Sequence, residues 1–171
     1  MAKKAVIELT KDFLRRYGWG VFQEVDEPGE KQGVLAVPWK GLSGDSHMLL
    51  IDPIEEKSVI SFRVPAVAKA PPDETPADRL TGVLMFMGAA NYKMILGAWA
   101  YDPRDGEIAF KFALPTHGDA FEYEDFEHCL TVVQLTTEVE GPKLRAIIDG
   151  TSTAHEILEK EGFAGAPVAY V

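Results

Sequence analysis

The spacing of apolar residues changes period several times along this chain, and each change marks an element. Over residues 5–17, Val6, Leu9, Phe13 and Tyr17 recur at helical spacing until Gly18 and Gly20 stop them. Residues 21–25 then read as a strand that runs into an Asp-Glu-Pro-Gly turn. Three more strand-like runs follow at residues 33–39, 47–52 and 58–67. Connections this short suit antiparallel pairing. Residues 68–73 read as a Pro-rich linker. Thr75-Pro76-Ala77-Asp78 then opens a helix, with Thr75 placed to cap it, Pro76 at its first position and Asp78 closing the box.

That second helix, running to about Asn91, is apolar nearly all round. Leu80, Val83, Leu84 and Met87 form one side; Met85, Phe86 and Ala89 form much of the rest. Such a helix must be covered on two sides, by the sheet and another helix or by a partner. The apolar run over residues 80–101 also invites a membrane-spanning reading, but Asn91 and Lys93 sit in its middle, and a buried helix followed by a buried strand fits better.

Residues 91–115 are the most informative stretch. Two strand-like runs flank Asp102-Pro103-Arg104-Asp105-Gly106, where Pro103 presets a turn and Gly106 can take the left-handed conformation that closes it. The loop sets the register: Asp102 faces Glu107, Tyr101 faces Ile108, Trp99 faces Phe110 and Gly97 faces Phe112. Alternation then puts Ile95, Trp99, Tyr101, Ile108, Phe110, Phe112 and Leu114 on one bulky face. Leu96, Ala98, Ala100, Ala109, Lys111 and Ala113 fall on a small, nearly flat one. The first should build a core; the second would let another backbone come close.

Asp119 and Glu122 are placed to cap a third helix with Phe126, Leu130, Val133 and Thr137 on its inner side. Gly141-Pro142 should break it, Leu144, Ile147 and Ile148 restart a stripe ending at Gly150, and residues 151–161 read as a last helix before an apolar tail. The order α-β-β-β-(β)-α-β-β-α predicts an α+β fold, with helices on an antiparallel sheet of five to six strands. Residues 1–150 are expected to form one domain, with residues 151–171 appended as a helix and tail.

The segment Asn91-Tyr92-Lys93-Met94-Ile95-Leu96-Gly97, followed by Asp102-Pro103-Arg104-Asp105-Gly106-Glu107-Ile108-Ala109-Phe110, resembles the YbjN-like family. Those proteins are similar in fold to type III secretion chaperones and are described as candidate sensory-transduction regulators. The resemblance implies a chaperone-like fold and a protein partner or peptide segment bound through an apolar surface, with dimers presenting that surface. Met85, Phe86, Ala98, Ala100 and Ala109 are the expected contact residues, for a partner or in a homodimer.

Composition narrows the alternatives. The chain has 171 residues, 46% of them hydrophobic, enough for a globular core. A formal net charge of −10 disfavours nucleic acid and anionic membranes. The single Cys129 excludes an internal disulfide and a Cys-rich metal site, and no signal-peptide pattern opens the chain, so a cytoplasmic location is expected.

Catalytic patterns are incomplete. His155-Glu156 begins like a zinc-protease helix, but Glu159 stands where the second His is needed. Glu124, Asp125 and His128 supply a carboxylate–His pattern once, where a dinuclear site needs it twice. Ser43, Asp45 and His47 are too close in sequence to form a triad. Cys129 reads as a small core residue. The expected function is therefore non-catalytic, with no cofactor or metal. The competing expectation is a small-ligand binder or enzyme with a site near His47, His117 or His128.

Overall fold

The computed structural model describes residues 3–27, 31–42, 44–54, 57–116 and 122–163. Ser43, His117, Asp119 and the tail beyond Phe163 lie outside the described residues. The chain runs α1 (Lys3–Tyr17), β1 (Gln23–Glu27), β2 (Lys31–Lys40), β3 (Ser46–Ile54), β4 (Val59–Lys69), α2 (Ala77–Lys93), β5 (Ala98–Tyr101), β6 (Glu107–Pro115), α3 (Tyr123–Asp149) and α4 (Ala154–Lys160). The six strands form one antiparallel sheet in the order β1-β2-β3-β4-β6-β5, the expected α+β architecture. The β4–β6 pairing skips over α2 and the edge strand β5, so the long connection between them holds the second helix against the sheet.

One sheet face carries the core. Leu35, Ile51, Phe62 and Phe112 lie in one cross-strand row, Val64, Phe110 and Trp99 in the next, and all are buried. The helices lay their apolar stripes on this face. On α1 the buried residues are Val6, Ile7, Thr10 and Leu14, with Leu9, Phe13 and Tyr17 half-buried, so the stripe is rotated from the expected one. Thr10 is satisfied inside the core by donating to the Val6 carbonyl (2.7 Å). Tyr17 donates to Gln134 Oε1 (2.7 Å) and ties α1 to α3.

Several local expectations need correction. Pro76, not Thr75, occupies the N-cap of α2, and no side chain caps that helix or α3. Residues 68 and 69 belong to β4, which carries a bulge: the register shifts between Val64 and Ala68, and Ala66 takes φ +48°. Helix α3 is continuous through Pro142. A proline inside a helix costs about 3 kcal/mol. Burial of Leu130 and Val133 before it and of Leu144 and Ile147 after it offsets that cost by holding both halves on one packed layer. Gly141 lets α3 cross the bulge closely, since a Cβ there would press on Val67 Cγ1 at 3.0 Å. Arg145 fastens the same crossing, donating to the Val67 carbonyl (3.1 Å) and pairing with Asp45. Helix α4 starts in a capping box between Thr153 and Glu156, and buries Ala154 and Leu158 against the core.

Candidate partner-binding site

The hairpin of β5 and β6 has the register read from its turn: Tyr101 pairs with Ile108, Ala100 with Ala109, Trp99 with Phe110 and Ala98 with Lys111. Asp102 N donates to the Glu107 carbonyl (2.9 Å), and Gly106 N donates to the Asp102 carbonyl (2.8 Å). Gly106 has φ +75°, and a Cβ there would collide with the backbone of Ala70 and Pro71, so no other residue fits. On the inner face the Trp99 and Phe110 rings meet edge-to-face, centroids 5.3 Å apart. Tyr101 closes this side by donating its hydroxyl to the Ala70 carbonyl (2.9 Å).

The link from α2 into β5 explains why the Asn91–Gly97 segment has its sequence. Asn91 Nδ2 donates to the Trp99 carbonyl (3.0 Å), and Trp99 N donates to Asn91 Oδ1 (2.8 Å). One side-chain amide thus stands in for a neighbouring strand at the sheet's edge. Gly97 turns the chain with φ +79°, against the Phe110 ring where a Cβ would be. That turn corrects one expectation: the alternation does not extend back through Gly97, and Ile95 is 96% exposed in the bend instead of lying on the inner face.

The expected contact residues divide into three groups. Phe86 is fully buried in the core and offers no surface. Met85 lies on the outward side of α2, 54% exposed, together with Leu84 and Tyr92, and Ile95 and Leu96 follow in the bend. Positions 85, 88 and 92 repeat at helical spacing, a signal present in the sequence but hidden by a helix apolar on every side. At Gly88, in the middle of this stripe, nothing beyond the adjacent residues and the helix's own backbone lies within 4 Å of where a Cβ would be.

Ala98, Ala100 and Ala109 lie on the outer sheet face, exposed, half-buried and buried respectively. Ala100 and Ala109 line a cleft of about 250 Å³ whose other walls include Arg63, Arg104, Glu107 and Lys111. Arg63 of β4 stands directly opposite Lys111 of β6. Arg63 Nη2 donates to Glu107 Oε2 (2.7 Å), and Glu107 Oε1 accepts the bulge N–H of Ala66 (3.0 Å). Arg104 is clamped to Asp102, donating from Nη2 to Oδ2 (2.5 Å) and from its backbone N to Oδ1 (3.0 Å). These bonds hold the Asp102 carboxyl well below its ordinary pKa.

The described histidines, His47, His128 and His155, are not brought to one place. His47 lies tilted against Trp39 (4.8 Å between centroids), which in turn stacks on Trp19 (5.7 Å). Burial lowers the His47 pKa, opposed by the nearby Asp45 charge. His128, Glu124 and Asp125 point outward from α3, and His155, Glu156 and Glu159 are exposed on α4. Cys129 is buried, and burial pushes its thiol up to about 12, far from a reactive thiolate. Among the described residues, no three His, Cys, Asp or Glu side chains converge as a metal site would require, and no helix is long and apolar enough to cross a membrane.

No protein-family model and no curated protein matches the chain. Solved structures do. YbjN, a candidate transcription regulator from E. coli, aligns over 82% of this chain and 90% of its own, with TM-score 0.55 and 14% identity. A chain of the ExsC–ExsE complex aligns over 84% and 96%, with TM-score 0.54 and 14% identity. A chain of the heterodimeric ExoU–SpcU complex, from the type III secretion system of Pseudomonas aeruginosa, aligns over 82% and 98%, with TM-score 0.48 and 12% identity. At these identities the likeness is one of fold: the chain has the YbjN-like, type III secretion chaperone-like fold.

Proposed function

We propose that this chain is a non-catalytic protein-binding or regulatory protein, that its contact surface is the outward side of α2, and that the first occupant of that surface is a second copy of the chain. The observation that carries this reading is the run of large apolar side chains left in water on one helix and its exit: Leu84, Met85, Tyr92, Ile95 and Leu96. A lone exposed leucine needs no explanation, but a contiguous apolar stripe on a chain of net charge −10 does. Gly88 supports it by leaving room for a partner backbone between Met85 and Tyr92. The fold likeness supports it too, since one chain with this fold was solved within the ExsC–ExsE complex.

Light scattering tests it. The protein should run at twice its monomer mass, and the double variant Met85→Asp, Ile95→Asp should run as a folded monomer with an unchanged far-UV spectrum. Both sites are exposed, so the variant should stay within about 0.5 kcal/mol of the parent per site. A parent that is monomeric at every concentration would sink the homodimer. Should Ala98→Arg dissociate the dimer while the α2 variant does not, the contact would move to the outer sheet face.

A further inference from the structure

We infer that the cleft on the outer face of β4, β6 and β5 receives the carboxylate of an acidic side chain carried by an extended partner segment. Arg63 and Lys111 form a directly opposed cross-strand pair of like charge. Such pairs destabilise a sheet, and a sheet built only for stability would not contain one. Arg63, Arg104 and Lys111 bring three cations to this cleft, against the two carboxylates Asp102 and Glu107. Both carboxylates are already engaged, Asp102 by Arg104 and Glu107 by Arg63 and the Ala66 N–H. What is left over is cationic. Lys111 has no hydrogen-bond or ion-pair partner among the described residues. Arg63 Nε is buried and also has none. An arriving carboxylate would relieve the repulsion and give Lys111 an ion-pair partner.

The rest of the cleft selects which anion fits. Its small-residue floor at Ala100 and Ala109 suits the aliphatic stem of a Glu or Asp side chain. The residues lining the cleft carry three cations and two carboxylates, an excess of one that Asp105, beside Arg104, reduces further, on a chain of net charge −10. Repulsion from the rest of the surface grows with the charge of the ligand, so a singly charged carboxylate is favoured over a multiply charged phosphate. The inference rests on the protein-binding reading but uses none of the α2 stripe.

The test is a titration of the isotope-labelled full chain, followed by amide chemical shifts at low ionic strength. Three probes are compared: the blocked peptide Ala-Ala-Glu-Ala-Ala, the same peptide with Gln in place of Glu, and inorganic phosphate. The Glu peptide should shift the amides of Ala100, Ala109 and Lys111 saturably. The Gln peptide should bind at least about tenfold more weakly, as loss of a charge-assisted bond implies. Lys111→Gln should weaken the Glu peptide by a similar factor, and because it removes the like-charge pair it should raise the melting temperature of the free protein by about 1–2 °C. Equal binding of the Glu and Gln peptides, no saturable shift from the Glu peptide, phosphate binding as tightly as the Glu peptide, or a lower melting temperature for Lys111→Gln would each overturn the inference. If the cleft fails while the α2 variant still dissociates the dimer, only the cleft is lost; if both fail, the protein-binding reading goes with it.

Discussion

The inner and outer faces of the β5–β6 hairpin share one backbone and one register, so any difference between them comes from side chains alone. Inside, Trp99, Ile108, Phe110 and Phe112 are buried against the helices and β4. Each such side chain contributes roughly 1.5–3 kcal/mol by leaving water. Outside, Ala98, Ala100, Ala109 and Ala113 contribute little area, and Lys111 faces another cation across the strand. A sequence selected only for stability would place β-branched or aromatic residues and opposite charges there. The two faces of the hairpin therefore differ in kind: one is packed into the core, and the other leaves small side chains and two facing cations outside it, at some cost in stability.

The largest expected effect tests the inner face. Phe110→Ala should cost about 3–5 kcal/mol, read as a lower urea midpoint, because its ring fills the space between Trp99 and the Gly97 turn. Ala113→Ser, on the exposed outer side, should stay within about 0.5 kcal/mol. Comparable losses from the two would erase the distinction between the faces.

Asn91→Ala comes next and asks whether the order of the inner face reaches the sheet edge. It removes both bonds to Trp99 and leaves the Trp99 N–H and carbonyl without partners. Since Trp99 itself is buried, the cost should be about 1–3 kcal/mol. The uncovered edge should also add association that rises with concentration, measured by sedimentation. A variant of unchanged stability would mean that water replaces the amide without loss and that the edge needs no plug.

The hairpin was the most legible part of the sequence because its signals agree: the turn residues set the register and the alternation sets the faces. Where signals were missing or shared, reading failed. Helix α2 is apolar on all sides, so the helical spacing of its exposed positions did not stand out and did not separate buried Phe86 from exposed Met85; the sheet and helices that cover one side decided it. Gly141-Pro142 carries a strong local signal to stop, and packing on both sides of it overrides that signal. Ala98 and Ala100 were placed correctly on the open face, but the cationic character of the cleft was not visible. Arg63 reaches it from β4, on the far side of α2 in the chain, through a pairing that the sequence does not announce. The outward position of Ile95 was missed for a local reason: the strand alternation was carried back across Gly97, whose left-handed turn ends it.

The smallest effect concerns the turn that joins the two faces. Asp102 is held ionised by its bonds from Arg104, so its folded-state pKa lies below the ordinary value of 3.8. The sign follows from linkage: the stabilisation is fully present above pH 3.8 and is lost as pH falls from there through the lowered folded-state value. The pair sits at an exposed tip, where solvent screens it, so its loss should alter acid unfolding only slightly. Asp102→Asn keeps an oxygen that can accept the Arg104 N–H and preserve the turn, while removing the charge. The variant should match the parent in salt at neutral pH and lose less stability than the parent between pH 4 and pH 2, the range about which carboxylates protonate. If Asp102→Asn unfolds the hairpin at neutral pH, as judged by loss of the Trp99 fluorescence signal, then the charge at the tip, rather than the aromatic face beneath it, sets the register.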